Sequence, residues 1–414
     1  MLLGALSGFG AAPSACTSKS TGSAKGTGGS VGSGGVAGAD ADAGSGGVSG
    51  GASGAAGDAG KDASAGAAGE GGQGDADVDS GADASTDSSV ACDAGLSACG
   101  SVCFNLMNDS SHCGNCGRNC VGGACLAGAC QPVVVANGQL NPTSIAVSSS
   151  KIYWVQFTTP GSVMQAPLGG TGATVLAGDL DEPVDVAVNS TAAHVVLKLN
   201  TAGQLLSIPL TGGTPTPVAT GLGSPIAVAA DDLGVFFVNE NDGNVMRAPN
   251  TDLATGQMVP VSVALDATHV YWANFGQAVD GGPPPGSVHR VLRGGGVSQT
   301  IASGLVSPAS LWVAQGRVFW VSRVASGGVL SAPSAGGSLT TIATGQARPT
   351  SVAADTTHVY WVTQIDGKVK RAPLAGGPAE DIVSGQAQPI SLTVDSKAVY
   401  WTNFGDGTVM RLAK

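Results

Sequence analysis

From residue 131 to the end, short apolar runs alternate with polar, glycine-bearing turns in units of roughly forty residues. An adjacent apolar pair marks each unit. It is aromatic at Tyr153-Trp154, Phe236-Phe237, Tyr271-Trp272, Phe319-Trp320, Tyr360-Trp361 and Tyr400-Trp401, with Val195-Val196 in the remaining place, and the spacings are 42, 41, 35, 48, 41 and 40 residues. A proline stands ahead of every pair, at Pro142, Pro183, Pro225, Pro260, Pro308, Pro349 and Pro389. Within a unit the pattern reads as four strands: a run after the proline (SIAV, VDVAV, TSVAA), the strand with the pair (KIYWV, HVYWV), a third strand (SVMQAPL, KVKRAPL) and a β-branched fourth (ATVLA, TTIAT). Gly161, Gly203, Gly243, Gly286, Gly327, Gly367 and Gly407 occupy the second turn, three of them as Asp-Gly, the composition of a tight hairpin. Four short antiparallel strands per unit make one propeller blade, so residues 131–414 predict an all-β propeller of about seven blades, with six or eight as the alternatives.

The end of the chain tests closure. The last unit stops after its third strand, whereas residues 131–141 (QPVVVANGQLN) match the fourth-strand segment TTIATGQARP of other units. The N-terminal strand is therefore expected to complete the C-terminal blade, which removes two exposed sheet edges.

Composition changes the picture only upstream. Residues 17–90 are almost entirely Gly, Ala, Ser, Asp and Thr, with no aromatic, Leu or Ile, so nothing offsets their ordering entropy and a flexible linker is expected. Ten acids against three lysines place most of the net charge of −11 in this linker. The remainder carries no Lys/Arg cluster, which argues against nucleic acid and against a polybasic membrane patch. Residues 1–16 (MLLGALSGFGAAPSAC) are apolar, too short to span a bilayer, and end in small residues before a cysteine, as a secretion signal does. Cys16 followed by a polar linker predicts either a lipoprotein anchored through that cysteine or, since Pro13 departs from the usual leucine, an ordinary secreted protein.

The other eight cysteines fall in residues 91–130: Cys92, Cys99, Cys103, Cys113, Cys116, Cys120, Cys125 and Cys130. An even number in a segment too small for its own core predicts a knot of four disulfides, whose pairing the spacing leaves open. Zinc at Cys113-x-x-Cys116 is the alternative, and Gly117 excludes haem attachment by standing where that motif needs histidine.

Two resemblances follow from these residues. The run with Asp109, His112, Cys113, Gly114, Cys116, Gly117 and Cys120 resembles a cysteine-rich module of secreted myxobacterial proteins, which implies extracellular placement and no chemistry. The Tyr-Trp-[Thr/Ala]-Asn strand followed by a Gly turn and V-x-R-x-P resembles the YWTD repeat of low-density-lipoprotein-receptor-class propellers. It departs twice: Asn274 and Asn403 replace the family's Asp, and the units number seven where that family has six. The Asp-mediated contact between blades and receptor-type ligands are therefore not carried over.

Chemistry is sparse. His194, His269 and His358 share one repeat position, His289 lies in a third strand and His112 in the knot, which points to repeat structure rather than catalysis. Two residues after the blade prolines stand Ser144, Asp185, Ala227, Ser262, Ser310, Ser351 and Ser391, small as converging strands require. Asp185 is the charged exception and a weak candidate for a ligand or cation contact, and Trp312 likewise breaks a run of small residues two places on. The turns after the second strands offer further weak candidates: Phe157, Glu240, Asn241, Asp242, Phe275, Asp280, Arg323, Asp366, Phe404 and Asp406. No cofactor is expected; these acids could take calcium, but no 12-residue ligand loop is present. No G-x-S-x-G, Walker or Rossmann pattern sits in a fitting context. The expectation is an exported, monomeric binding module for a protein or glycan, with a propeller hydrolase or lyase as the alternative and a ligandless envelope spacer as a third.

Overall fold

The computed structural model describes residues 90–199, 202–276 and 285–414, all within one compact unit, Ala84–Lys414. The proposed signal, Cys16, nearly all of the linker and Asp280 lie outside the described residues.

Seven four-stranded antiparallel sheets follow one another, with no helix among the described residues. Blade 1 begins with Pro142–Val147 and blade 6 with Pro349–Ala354, each innermost strand opening on the proline that the repeat marks. The blade count of seven stands. Blade 7 is made of Pro389–Val394, Ala398–Asn403 and Thr408–Ala413, completed by Val133–Ala136. Val133 pairs with Arg411 and Ala136 with Val409, so the predicted seam is present.

The core lies between blades rather than within one. Five tryptophans of the repeat pairs and Tyr153, Tyr271, Tyr360 and Tyr400 are fully buried. Alternate residues of each second strand face opposite neighbours: Tyr153 packs toward blade 2 with Val186 and Val195, while Trp154 packs toward blade 7 with Tyr400 and Val409.

Polar stitches recur on this frame. A glutamine at the end of one blade's fourth strand accepts from the tryptophan of the next: Gln139 from Trp154, Gln257 from Trp272, Gln346 from Trp361 and Gln386 from Trp401, at 2.8–2.9 Å. Asn274 and Asn403 donate to the same Gln257 and Gln386 oxygens, so a polar contact between blades exists without the Asp of the resembling family. An aspartate ending the first strand forms the second stitch. In blade 6, Asp355 accepts the N–H groups of Thr357 and His358 with one oxygen and the Tyr360 hydroxyl with the other.

The recurring glycine of the second turn serves two purposes. At the Asp-Gly turns it has positive φ, as at Gly407 (φ 66°). At Gly203 the φ is ordinary, but a Cβ would lie 2.2 Å from Cδ of Pro225, so glycine and the next blade's proline are packed face to face.

The cysteine module forms four disulfides: Cys92–Cys103, Cys99–Cys116, Cys113–Cys125 and Cys120–Cys130. Cys113, Cys120 and Cys130 bring their sulfurs together, but all three are spent in disulfides, which removes the ligands that the zinc alternative needs. The four cysteines of the last two bridges belong to one buried cluster with Val394, Val399 and Leu412 of blade 7.

Candidate functional site

Each blade presents its first-strand start and its second turn on one face of the ring, called here the entry face, and its first and third turns on the other, the exit face. A cavity of about 440 Å³ lies between them on the axis, lined by the seven innermost strands, and is called here the channel.

The small residues two places after the prolines are acceptors. The Ser262, Ser310 and Ser351 hydroxyls take the N–H of Leu311, Val352 and Leu392 on the following blade. Asp185 does the same toward Val228 N–H at 2.8 Å, and its second oxygen accepts from the Ser144 hydroxyl. Burial is the main influence on this carboxyl and raises its pKa to about 6, against the lowering effect of its hydrogen bonds. Both oxygens of Asp185 are thus engaged within the ring. Trp312 lies at the exit end, where it lines both the channel and a second cavity.

The entry face carries a ring that the repeat generates directly. The first residue after each second strand donates its N–H to the residue before the blade proline: Phe157 to Asn141, Lys198 to Glu182, Glu240 to Ser224, Phe275 to Val259, Arg323 to Ser307, Gln364 to Arg348 and Phe404 to Gln388. All seven acceptor residues have positive φ, from 43° at Ser307 to 62° at Ser224. The seven donors are buried or half-buried. Their side chains are three phenylalanines, one amide and three charges.

Two of those charges satisfy each other: Lys198 Nζ lies 2.6 Å from Glu240 Oε2, and their side chains are only 5% and 7% exposed. The third, Arg323, has no ion pair among the described residues, and its Nε is buried without an acceptor. Four aliphatic residues of the same face are exposed: Leu140 (61%), Met258, Val306 and Ile365 (63%).

The ring brings together Phe157, Glu240, Phe275, Arg323 and Phe404 at one register position. It does not include the other acids singled out from the sequence. The Asp242 carboxylate lies against Gly223, Asp366 is 3.9 Å from Lys368, and Asp406 accepts from the N–H and hydroxyl of Thr408 in its own turn. Asn241 donates its N–H to Gly223 O. Lys198 and Gln364 belong to the ring and were missed; aligning the seven units at the second strand's end finds both.

On the exit face, a cavity of about 650 Å³ is lined by Trp312, Asp355, His358, Tyr360, Arg371, Asp395 and Lys414 among others. Its charges are occupied: Lys414 Nζ reaches Asp355 at 2.7 Å, Arg371 pairs with Glu380, and Asp395 accepts from Tyr400. Burial is the largest influence on Asp355, but hydrogen bonds from Lys414, His358 and Thr357 prevail and hold its carboxyl far below the usual range. Four of the described histidines are also committed: His269 and His358 contact the threonine hydroxyl before them, His289 stacks on Trp272 and contacts Ser287 and Thr300, and His112 stacks on Phe104. His194 does not share the position of His269 and His358 but opposes Ala187 as Tyr271 opposes Ala264; it is 6% exposed, contacts Asn189 through Nε2 and leaves its buried Nδ1 without a partner.

No family model matches the chain, and no curated protein does. Among solved structures it is similar to virginiamycin B lyase from Staphylococcus aureus (13% identity, TM-score 0.57, covering 69% of this chain and 98% of that one). A catalytically inactive variant of the same lyase with quinupristin matches equally (14% identity, TM-score 0.57, the same coverage). A chain of a nidogen/laminin complex is also similar (17% identity, TM-score 0.44, 55% of this chain and 91% of that one). At these identities the two lyase likenesses establish the propeller fold.

Proposed function

We propose that the protein is an extracytoplasmic binding module that holds a protein partner on its entry face. The observation that carries this reading is the make-up of that face. Exposed Leu140, Met258, Val306 and Ile365 accompany a ring that includes three phenylalanines and an arginine with no counter-charge among the described residues, a mixture of apolar contact and charge typical of protein recognition. Aliphatic side chains favour a protein over a glycan, which aromatic platforms serve better. Four disulfides fit an oxidising compartment, and secretion through the N-terminal segment, with or without acylation at Cys16, belongs to the same reading.

Recognition is favoured over a hydrolase or lyase because the groups that could serve as acid, base or nucleophile are tied into the fold. The histidines hold turns and stacks or, at His194, are buried, and the carboxylates of Asp185, Asp355 and Asp395 accept from neighbouring blades, turns and tyrosines. A general base needs a free lone pair within reach of a substrate.

The test is capture by the full disulfide-bonded chain from envelope proteins and from a glycan panel, with the masses of captured species compared before and after. The expected result is a protein returned unchanged, with capture lost in a Leu140→Ser/Ile365→Ser double variant and retained in Trp312→Ala. A captured species that is cleaved or loses the elements of a leaving group, or capture that depends on Trp312, would overturn the reading.

A further inference from the structure

We propose that Arg323 is an anion-binding site on the entry face, where it receives a carboxylate of the partner; the identity of that ligand rests on the binding reading above. The ring itself supplies the argument. In blades 2 and 3 its charges, Lys198 and Glu240, come as a matched pair that is shut off from solvent. In blade 5 the corresponding position holds a cation without a carboxylate: no described residue forms a salt bridge or side-chain hydrogen bond with Arg323, and its Nε is buried.

The surroundings make this arrangement costly in the empty protein. Burial, and after it the charge of Arg348, hold the Arg323 guanidinium below its ordinary pKa. A guanidinium does not escape by losing its proton, because its pKa remains far above neutrality. A half-buried cation with no counter-charge among the described residues therefore calls for an external anion.

A second orphan lies in the same ring. Gln364, on the next blade, is 4% exposed and its Oε1 has no donor. The Gln364 backbone N–H donates to the Arg348 carbonyl, which fixes the backbone of both residues at the blade 6 link. The ring thus offers a planar cationic fork, which matches a carboxylate with two parallel N–H···O bonds, and at the same register one blade on an acceptor that an N–H or hydroxyl of the ligand can fill. An acidic side chain in a peptide presents that combination.

The experiment measures thermal unfolding of the full disulfide-bonded chain and of Arg323→Gln in sodium chloride, sodium sulfate and sodium N-acetylglutamate at equal ionic strength. Sulfate raises the melting temperature of most proteins by exclusion from their surface, so the difference between the two proteins is the quantity read. The expected result is that sulfate and N-acetylglutamate raise the wild type at least about 2 °C more than the variant. In chloride alone Arg323→Gln is expected to be as stable as the wild type or more so, because it removes an uncompensated charge. Equal gains in both proteins, or a variant less stable in chloride, would overturn the anion site, the second outcome assigning Arg323 to the fold. If the anion difference is missing while Leu140→Ser/Ile365→Ser still abolishes capture, only this inference falls. If that double variant captures normally, the binding reading falls whatever the anions do.

Discussion

At the scale of single residues, the repeat contains its own control experiments. Trp154, Trp272, Trp361 and Trp401 each donate to a glutamine of the preceding blade, whereas Trp320 meets Leu305 at that register and its Nε1 is buried without an acceptor. Where the second strand has no tryptophan, the position is again leucine: Leu222 precedes Phe237, and Leu180 precedes Val195, which opposes Val186 as Trp272 opposes Val263, so the blade 2 pair is His194-Val195 rather than the expected Val195-Val196. Gln346→Leu should therefore orphan Trp361 and cost about 1–3 kcal/mol in urea unfolding. Leu305→Gln should be neutral or stabilising, although Leu305 is only 6% exposed and a polar residue there would ordinarily destabilise. Asp185 gives a pH-dependent counterpart. Its carboxyl loses its proton near pH 4 in the unfolded chain and at about 6 in the folded one, so the folded state holds more protons between those values. Stability contributed by this group falls as pH rises from about 4 to 6, and the ionised carboxylate then costs about 3 kcal/mol at pH 7. Urea unfolding of the wild type minus that of Asp185→Asn across pH 4–7 should show this decline; a flat difference would remove it.

At the scale of strands and turns, the fold was legible because each blade is a local unit with its own punctuation. The prolines, the apolar pairs and the Gly turns mark strand starts, buried strands and hairpins, and the fourth-strand match at residues 131–141 disclosed the seam. The seam can be tested through its alternation. Val135 is 3% exposed and packs with Tyr400 and Val409, while Val134 is 44% exposed. Val135→Asp should cost at least about 3 kcal/mol and Val134→Asp less than about 0.5. The seven residues before the prolines explain a further preference. Positive φ is tolerable for Asn141 but strained for β-branched Val259 at 59°, so Val259→Asn should raise stability by about 1 kcal/mol in thermal or urea unfolding. The candidate site was less legible than the fold. Whether Lys198 is spent on Glu240, or Arg323 is left without a counter-charge among the described residues, depends on which blades adjoin and on what lies within reach across the ring, and those facts are absent from any one unit.

At the scale of the whole molecule, the two faces have been given different work. The exit face is held by paired charges and aspartate–tyrosine stitches, and there the cysteine module meets blade 7, with Arg118 Nε donating to the Lys414 carbonyl. The entry face exposes Leu140, Met258, Val306 and Ile365 around a cation with no counter-charge among the described residues, whereas the exposed Leu233 and Leu339 of the exit face share it with charges that are paired. The module is graded in the same sense: Cys113 and Cys120 are essentially buried, whereas Cys116 is exposed and Cys92 half-exposed. Graded reduction followed by alkylation and mass analysis should open Cys92–Cys103 and Cys99–Cys116 before the two bridges packed on blade 7. The division of faces is tested most directly by photo-crosslinking from single positions of the full chain in the producing cell. The account predicts one common protein partner crosslinked from Ile365 and from Leu140, and none from Leu233 or Leu339, which are exposed on the exit face. A partner crosslinked from Leu233 or Leu339 and absent at Ile365 and Leu140 would contradict it.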